Sequence, residues 1–284
     1  MKRLLLKGLR GLTNDKWYYM VRMWIKYKRW PDLKTPKTFN EKLIWLNLHN
    51  RNPLLHQLVD KYEVRTFVQH KIGAAYLNEV YGIYDSVDEI DLNKLPNTFV
   101  LKGTHGSGWV IVCEDKSKIN WADAKKEMQA WLETDFYEQY AEWAYKGLRR
   151  RIICERFMKN ENESSLIDYK FYCFNGAPFF FNVDLDRFQG HKQIFYDLNW
   201  KRLPFTIGFP QGERDIQRPD VFDKMLSAAR ELARGFDFVR VDLYEENGVV
   251  IFGEMTFYPG NGLCVFNPRS YDKVIGGYLY LNTH

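Results

Sequence analysis

The chain has 284 residues, 45% of them hydrophobic and 17% aromatic, with a formal net charge of +5 at pH 7. That apolar content is enough for one two-lobed unit or two small domains with their own cores, and it excludes a disordered chain. Cys113, Cys154, Cys173 and Cys264 are scattered without C-x-x-C pairs, which argues against a disulfide scaffold or a finger-type zinc site and favours a cytoplasmic compartment.

Residues 1–30 hold nine Lys or Arg (Lys2, Arg3, Lys7, Arg10, Lys16, Arg22, Lys26, Lys28, Arg29) against one acid, Asp15, a surplus of +8 that leaves residues 31–284 at −3. Leu4, Leu5, Leu6, Leu9, Leu12, Trp17, Tyr18, Met20, Val21, Met23, Trp24, Ile25 and Trp30 are interleaved with them. This predicts a basic, amphipathic helical segment over 1–38. Two readings stay open: helices lying on an anionic membrane surface, or a helical pair packing its aromatic face on the protein. The apolar runs are too short and too often charged to span a membrane, and no small-residue cleavage site marks a signal peptide. Because the positive charge is terminal and no aromatic RNA-recognition signature is present, no nucleic acid is expected as a partner.

After an α/β portion over 39–96, Asn97-Thr98-Phe99-Val100-Leu101 reads as a strand, and so does Val110-Ile111-Val112-Cys113. Lys102-Gly103-Thr104-His105-Gly106-Ser107-Gly108 therefore forms a strand-to-strand turn. Its glycines can bring backbone N–H groups close to an anion beside the Lys102 charge, or they can form a plain flexible hairpin. Trp109 and Val110 stand where a Walker A loop needs Lys and Ser or Thr, and G-x-G-x-x-G is absent, so neither familiar phosphate loop applies. No G-x-S-x-G elbow, kinase H-R-D or D-F-G occurs either.

Phe238 to Tyr244 and Val249 to Thr256 predict a buried hairpin about Glu245-Glu246-Asn247-Gly248. A two-residue Asn-Gly loop puts Asp242 and Glu254 on opposite faces. A three-residue loop with Gly248 at a bulge puts Arg240 across from Glu254, with Asp242 diagonal on the same face. The trio is then either an ion-pair ladder or two carboxylates for Mg²⁺ with an arginine for phosphoryl charge.

With these motifs in view, the chain resembles the ATP-grasp superfamily, and within it the family named for the teichuronopeptide biosynthesis protein TupA. The resemblance runs from Phe39-Asn40-Glu41-Lys42-Leu43 through Asp60-Lys61, Phe99-Val100-Leu101-Lys102, Cys154-Glu155-Arg156-Phe157-Met158 and Asp168-Tyr169-Lys170 to Gly253-Glu254-Met255-Thr256-Phe257-Tyr258-Pro259-Gly260. It implies an α+β fold in which ATP is clamped between two α+β subdomains, a small one over 97–158 and a large one over 159–284, with Mg²⁺ on the phosphates. By the same resemblance Lys61 and Lys102 contact phosphates, and Gly103, Thr104, His105, Gly106, Ser107 and Gly108 close over them. Glu155, Arg156, Phe157 and Met158, after the strand Ile152–Cys154, form the adenine hinge. Asp168 and Lys170 are similar to a D-x-R pair of amino-acid ligases, or else make a cross-strand ion pair. Asp242, Glu254 and Thr256 take the metal positions, and Arg240 contacts the transferred phosphoryl group. Many ATP-grasp enzymes have E-x-N where this chain has Thr256, so a second Mg²⁺ is expected to be weak or completed by another oxygen such as that of Asn261.

The implied reaction activates a carboxylate as an acyl phosphate for attack by an amine. The implied partners are an amino acid or other small amine and a uronic-acid or peptide-bearing cell-surface polysaccharide, lipid-linked if residues 1–30 meet a membrane. Arg187, His191 and Lys192 are candidates for holding the acidic acceptor. A sugar kinase acting on a hydroxyl and a non-catalytic glycan or nucleic-acid binder remain the alternatives.

Overall fold

Residues 10–11, 13–159, 166–185 and 190–281 are described by the computed structural model. The chain divides into two compact units, Asn52–Lys159 and the combination of Met1–Arg51 with Asn160–His284. The second is thus discontinuous, and residues 39–51 belong with the C-terminal half, where the sequence suggested one portion over 39–96.

Side chains of α1 and α2 explain that assignment. Helix α1 (Asp15–Tyr27) starts where Asn14 accepts the Trp17 N–H at 3.0 Å, stops at left-handed Lys28, and buries Tyr18, Tyr19 and Met23. Helix α2 (Phe39–His49) has a capping box, Thr38 and Glu41 each accepting the other's backbone N–H. Phe39 is fully buried, 5.0 Å from the Phe238 ring, which is worth about 1.5–3 kcal/mol of apolar burial. The Asn40 amide pairs with both backbone groups of Cys264, donating at 2.9 Å and accepting at 2.6 Å. Lys42 donates to the carbonyls of Gly276 (2.8 Å) and Leu279 (2.6 Å). The Phe39-Asn40-Glu41-Lys42 run is therefore a clasp holding the C-terminal segment.

The unit 52–159 contains α3 (Leu54–Val59), α4 (Val64–Ile72), β1 (Val80–Tyr84), β2 (Phe99–Gly103), β3 (Val110–Cys113), α5 (Trp121–Glu133), α6 (Phe136–Tyr140) and β4 (Ile152–Arg156). Its antiparallel sheet has the order β1-β4-β2-β3. Alternation sends Phe99, Leu101, Cys113, Ile152 and Cys154 into a core with Met128 and Trp131 of α5. Val100, Lys102, Val110, Val112, Ile153 and Glu155 take the other face, where Val110 and Val112 are exposed.

The chain then returns to the discontinuous unit with β5 (Asp168–Phe174), β6 (Ala177–Leu185), β7 (Lys192–Asp197), β8 (Thr206–Ile207), α7 (Phe222–Ala233), β9 (Phe238–Glu246), β10 (Val249–Thr256), β11 (Phe266–Asn267) and α8 (Tyr271–Gly276). An antiparallel sheet of order β10-β9-β5-β6-β7 is formed, and β8 pairs with β11. Asn175-Gly176 and Asn247-Gly248 both have positive φ at each residue, the two-residue turn that matches strand twist. Helix α7 covers one face, Phe222 packing on Phe171 and Phe181. The opposite face is aromatic at one end, with Phe174, Phe180, Phe195 and Phe238, and charged at the other. All four cysteines are free and buried. No helix among the described residues is long and apolar enough to cross a membrane.

Candidate functional site

The charged end of the five-stranded sheet is set by register. Lys170 on β5 pairs with Asp242 on β9 and Asn182 on β6, while Asp168 pairs with Asp184. The β9–β10 hairpin follows neither register expected from sequence. Its turn is the two-residue Asn-Gly loop, but a bulge between Phe252 and Glu254 then shifts the strand by one, so Glu254 lies directly across from Asp242 and Thr256 across from Arg240. Gly253 fits there because a Cβ would stand 2.8 Å from the Tyr244 ring and 3.0 Å from the Asp242 carbonyl oxygen. One glycine thus returns Glu254 to the face of Asp242.

Arg240 bridges the two acids. Its Nε donates to Asp242 Oδ1 at 2.7 Å, and its Nη2 donates to Asp242 Oδ2 at 2.6 Å, Glu254 Oε1 at 3.1 Å and Thr256 Oγ1 at 3.0 Å. Thr256 donates in turn to Glu254 Oε1 at 3.0 Å. Lys170 Nζ donates to Asp168 and, at 2.8 Å, to Asp242, and stands 3.7 Å from Asp184. Asp184 Oδ1 accepts the amide N–H groups of Asn182 and Gln193, each at 2.9 Å. Since an ionised carboxylate only accepts, both amides turn their N–H₂ towards it, leaving Asn182 Oδ1 and Gln193 Oε1 as buried acceptors without a donor among the described residues.

Asp168, Lys170, Asp184 and Asp242 are all buried, whereas the Glu254 side chain is 39% exposed. Burial pushes the Asp242 carboxyl up, to about 6, against the pull of Arg240 and Lys170. Burial alone would lower Lys170, but Asp168 and Asp242 reverse this and hold the ammonium well above its ordinary value. Arg240 is likewise raised, Asp242 outweighing desolvation. Six charged groups, four of them acids, share this sheet end, so the patch favours a cation. Among the described residues no three His, Cys, Asp or Glu side chains are arranged to hold a metal by themselves. Two hard carboxylates, Asp242 and Glu254, fit Mg²⁺ when phosphate oxygens and water supply the other ligands.

In the unit 52–159, Lys102 Nζ meets Glu155 Oε2 at 2.5 Å across β2–β4, and Arg65 Nη1 stands 3.8 Å from Glu155 Oε1. Lys61 donates to the Gly106 carbonyl through Nζ and to the Thr104 carbonyl at 3.2 Å through its backbone. The glycine loop differs from the expected open phosphate nest. Thr104, His105 and Gly106 are buried, and only Ser107 and Gly108 are exposed. Trp109 folds back over the turn, so that a Cβ on Gly103 or Gly106 would stand 2.8 Å or 2.4 Å from its ring. His105, expected at the phosphates, instead faces the core. Its Nε2 lies 3.0 Å from the Trp131 carbonyl oxygen, its ring meets Trp109, and desolvation pushes its pKa down.

Glu155 and Arg156 belong to β4 itself instead of following it. The Arg156 N–H donates to the Glu79 carbonyl and its own carbonyl accepts from Asn78, so its backbone is already spent. Asn261, considered for a second metal, accepts from the Tyr19 hydroxyl. His191 stands 3.3 Å from Asp184 and stacks on Phe209, and Lys192 faces Glu213 at 3.7 Å, while Arg187 lies outside the described residues. Asp184, Asn182 and Gln193 were missed from sequence. The signal was Asn182 and Asp184 alternating within the apolar run Phe179–Leu185.

The family described as TupA-like ATP-grasp matches residues 41–280. No curated protein matches the chain. Among solved structures, the chain is similar to D-alanine–D-alanine ligase from Bacillus anthracis complexed with ATP, at 13% identity and a TM-score of 0.41 over 71% of this chain and 54% of that one. It is also similar to N5-carboxyaminoimidazole synthase from Aspergillus clavatus in complex with ADP and its ribonucleotide, at 10% identity and 0.40 over 78% and 46%. A third is the ATP-grasp ligase PsnB with minimal precursor, Mg and ADP, at 11% and 0.39 over 77% and 57%. The chain spans about half the length of these three structures.

Proposed function

The chain belongs to the TupA-like ATP-grasp family, and from that premise we propose that it is an ATP- and Mg²⁺-dependent carboxylate–amine ligase. The substrates are an amino acid or other small amine and a uronic-acid or peptide-bearing cell-surface polysaccharide, carried on a lipid at the inner face of a membrane. What supports the reading is Arg240 bridging Asp242 and Glu254, with Lys170 beside them on the same sheet face.

Asp242 and Glu254 would hold Mg²⁺, which when bound would neutralise phosphate charge. Arg240 and Lys170 direct fixed positive charge at the γ-phosphoryl group as it passes to the acceptor carboxylate. Lys102 and Lys61 bind the phosphates, and Phe157 and Met158 contact the base, since the Arg156 backbone is engaged within the sheet. The enzyme's contribution is positioning and charge stabilisation. Amine attack on the acyl phosphate forms the amide and releases phosphate.

The test incubates the protein with ATP, Mg²⁺, amino acids and glucuronate oligosaccharides, and reads amide mass gain together with ADP and phosphate. Asp242→Ala should abolish both. A phosphorylated sugar formed without any amine would overturn the ligase reading in favour of a kinase.

A further inference from the structure

Helix α1 has two apolar faces. Tyr18, Tyr19 and Met23 are buried and anchor it. Opposite them Trp17 and Trp24 lie seven residues apart, two helical turns, and are 52% and 43% exposed; Ile25 is 48% and Trp30 53% exposed. Trp30 stacks on Trp24 at 6.2 Å, and Lys28 lies over the Trp24 ring at 4.8 Å. Three half-exposed indoles form an amphipathic surface that is open among the described residues, the kind that suits a site apolar below and wet above.

Charge identifies the partner. Residues 10–38 carry eight Lys or Arg against Asp15 and Asp32. Asp15 pairs with Arg10 at 2.9 Å, and Asp32 accepts the backbone N–H groups of Lys34 (3.1 Å) and Thr35 (2.9 Å), so both acids are engaged within the chain. A groove of about 650 Å³ is lined by Lys16, Lys34 and the internally bonded Asp32 together with Met20, Leu33 and Leu48. Its two lysines and apolar side chains suit a phosphate headgroup with its glycerol and upper acyl carbons, Asp32 being already bonded within the chain.

We propose that the Trp17–Trp24 face of α1 with Trp30 beyond its end, together with Lys16, Lys28 and Lys34, docks on the surface of an anionic phospholipid bilayer. The indoles enter the headgroup boundary and the lysines meet lipid phosphates. This deepens the lipid-linked substrate proposed above and rests on that reading only for its biological setting, since vesicle binding is measured without ATP or acceptor.

The full chain is floated with phosphatidylcholine vesicles with and without phosphatidylglycerol, while tryptophan emission is followed. Binding only to the anionic vesicles is expected, with a blue shift and loss in high salt. Trp17→Ser/Trp24→Ser/Trp30→Ser should weaken it more than about tenfold, and Lys28→Glu about fivefold or more. Both variants should keep wild-type ATP turnover, which also shows that they fold. No anionic binding by the wild type, or undiminished binding by the triple variant, overturns the proposal. So does concentration-dependent dimerisation that the tryptophan substitutions abolish, which would assign the face to a second copy. Loss of ligase activity with vesicle binding intact would instead refute the ligase reading alone.

Discussion

The two sheets present similar ion chemistry under opposite conditions. On β2–β4 the Lys102–Glu155 pair is only partly open, its lysine side chain 27% and its carboxylate 10% accessible, with Arg65 beside the carboxylate. On β5–β9–β10 the Lys170–Asp242–Arg240 cluster is buried, its lysine 8% and its aspartate 1% accessible. In the first, water reaches the lysine, and Arg65 stays 3.8 Å from the buried carboxylate if Lys102 turns to a ligand. In the second, each charge stands because the others do, so the cluster is rigid and its failure is expensive. Exposure, more than residue type, separates a group free to exchange partners from one that defines geometry.

Breaking the buried cluster should have the largest effect. Lys170→Met removes the buried ammonium shared by Asp168 and Asp242, leaving Arg240 to hold Asp242, and should lower unfolding free energy by about 3–5 kcal/mol in urea titration; a loss below about 1 kcal/mol would mean the cluster is solvated. Gly253→Ala tests the bulge that aligns Glu254. With contacts of 2.8 and 3.0 Å to absorb, it should cost roughly 1–3 kcal/mol and weaken Mg²⁺-dependent ATP turnover, and unaltered turnover would break the link between bulge and site.

His105 sharpens the contrast from within the unit 52–159. Burial sets its folded pKa below the ordinary value of about 6.5, so as pH falls the unfolded chain takes up the proton first. Its contribution is therefore present above about pH 6.5 and lost as pH falls towards the folded value, at no more than about 1.4 kcal/mol per pH unit. The pH dependence of denaturant midpoints should flatten in His105→Gln. An unchanged slope would show that this histidine titrates freely. The smallest effect on stability belongs to Lys102→Met, about 1 kcal/mol, because the lysine is partly exposed and Arg65 remains beside Glu155, although ATP affinity measured by calorimetry should fall clearly.

Local pattern carried much of the fold. The alternation in Phe238–Tyr244 and Val249–Thr256 and the Asn247-Gly248 turn predicted the hairpin, and Arg240, Asp242, Glu254 and Thr256 do converge on one face. The route to that face was not legible, because a one-residue bulge at Gly253 depends on the Tyr244 ring crossing the strand. The glycine loop misled in a similar way. Gly103 and Gly106 read as openness towards an anion, yet both face the Trp109 ring, a contact made by folding the turn back on itself. The Phe39–Lys42 run supported a resemblance without disclosing its purpose, since Asn40 and Lys42 bind carbonyls more than two hundred residues away.

From sequence alone came what depends on neighbours along the chain: the α+β class, the strand pairs about their turns, the basic aromatic N-terminus, and the residue types able to bind phosphate and a hard cation. Tertiary structure decided what depends on register and burial: Asp184 joining the Lys170 cluster, His105 withdrawn into the core, and the tryptophans of α1 left outside while its tyrosines went in. The physical reason is range. Periodicity and turn chemistry act over a few residues, whereas the partner of a charge or ring is set by strands and helices that meet only after the chain has folded.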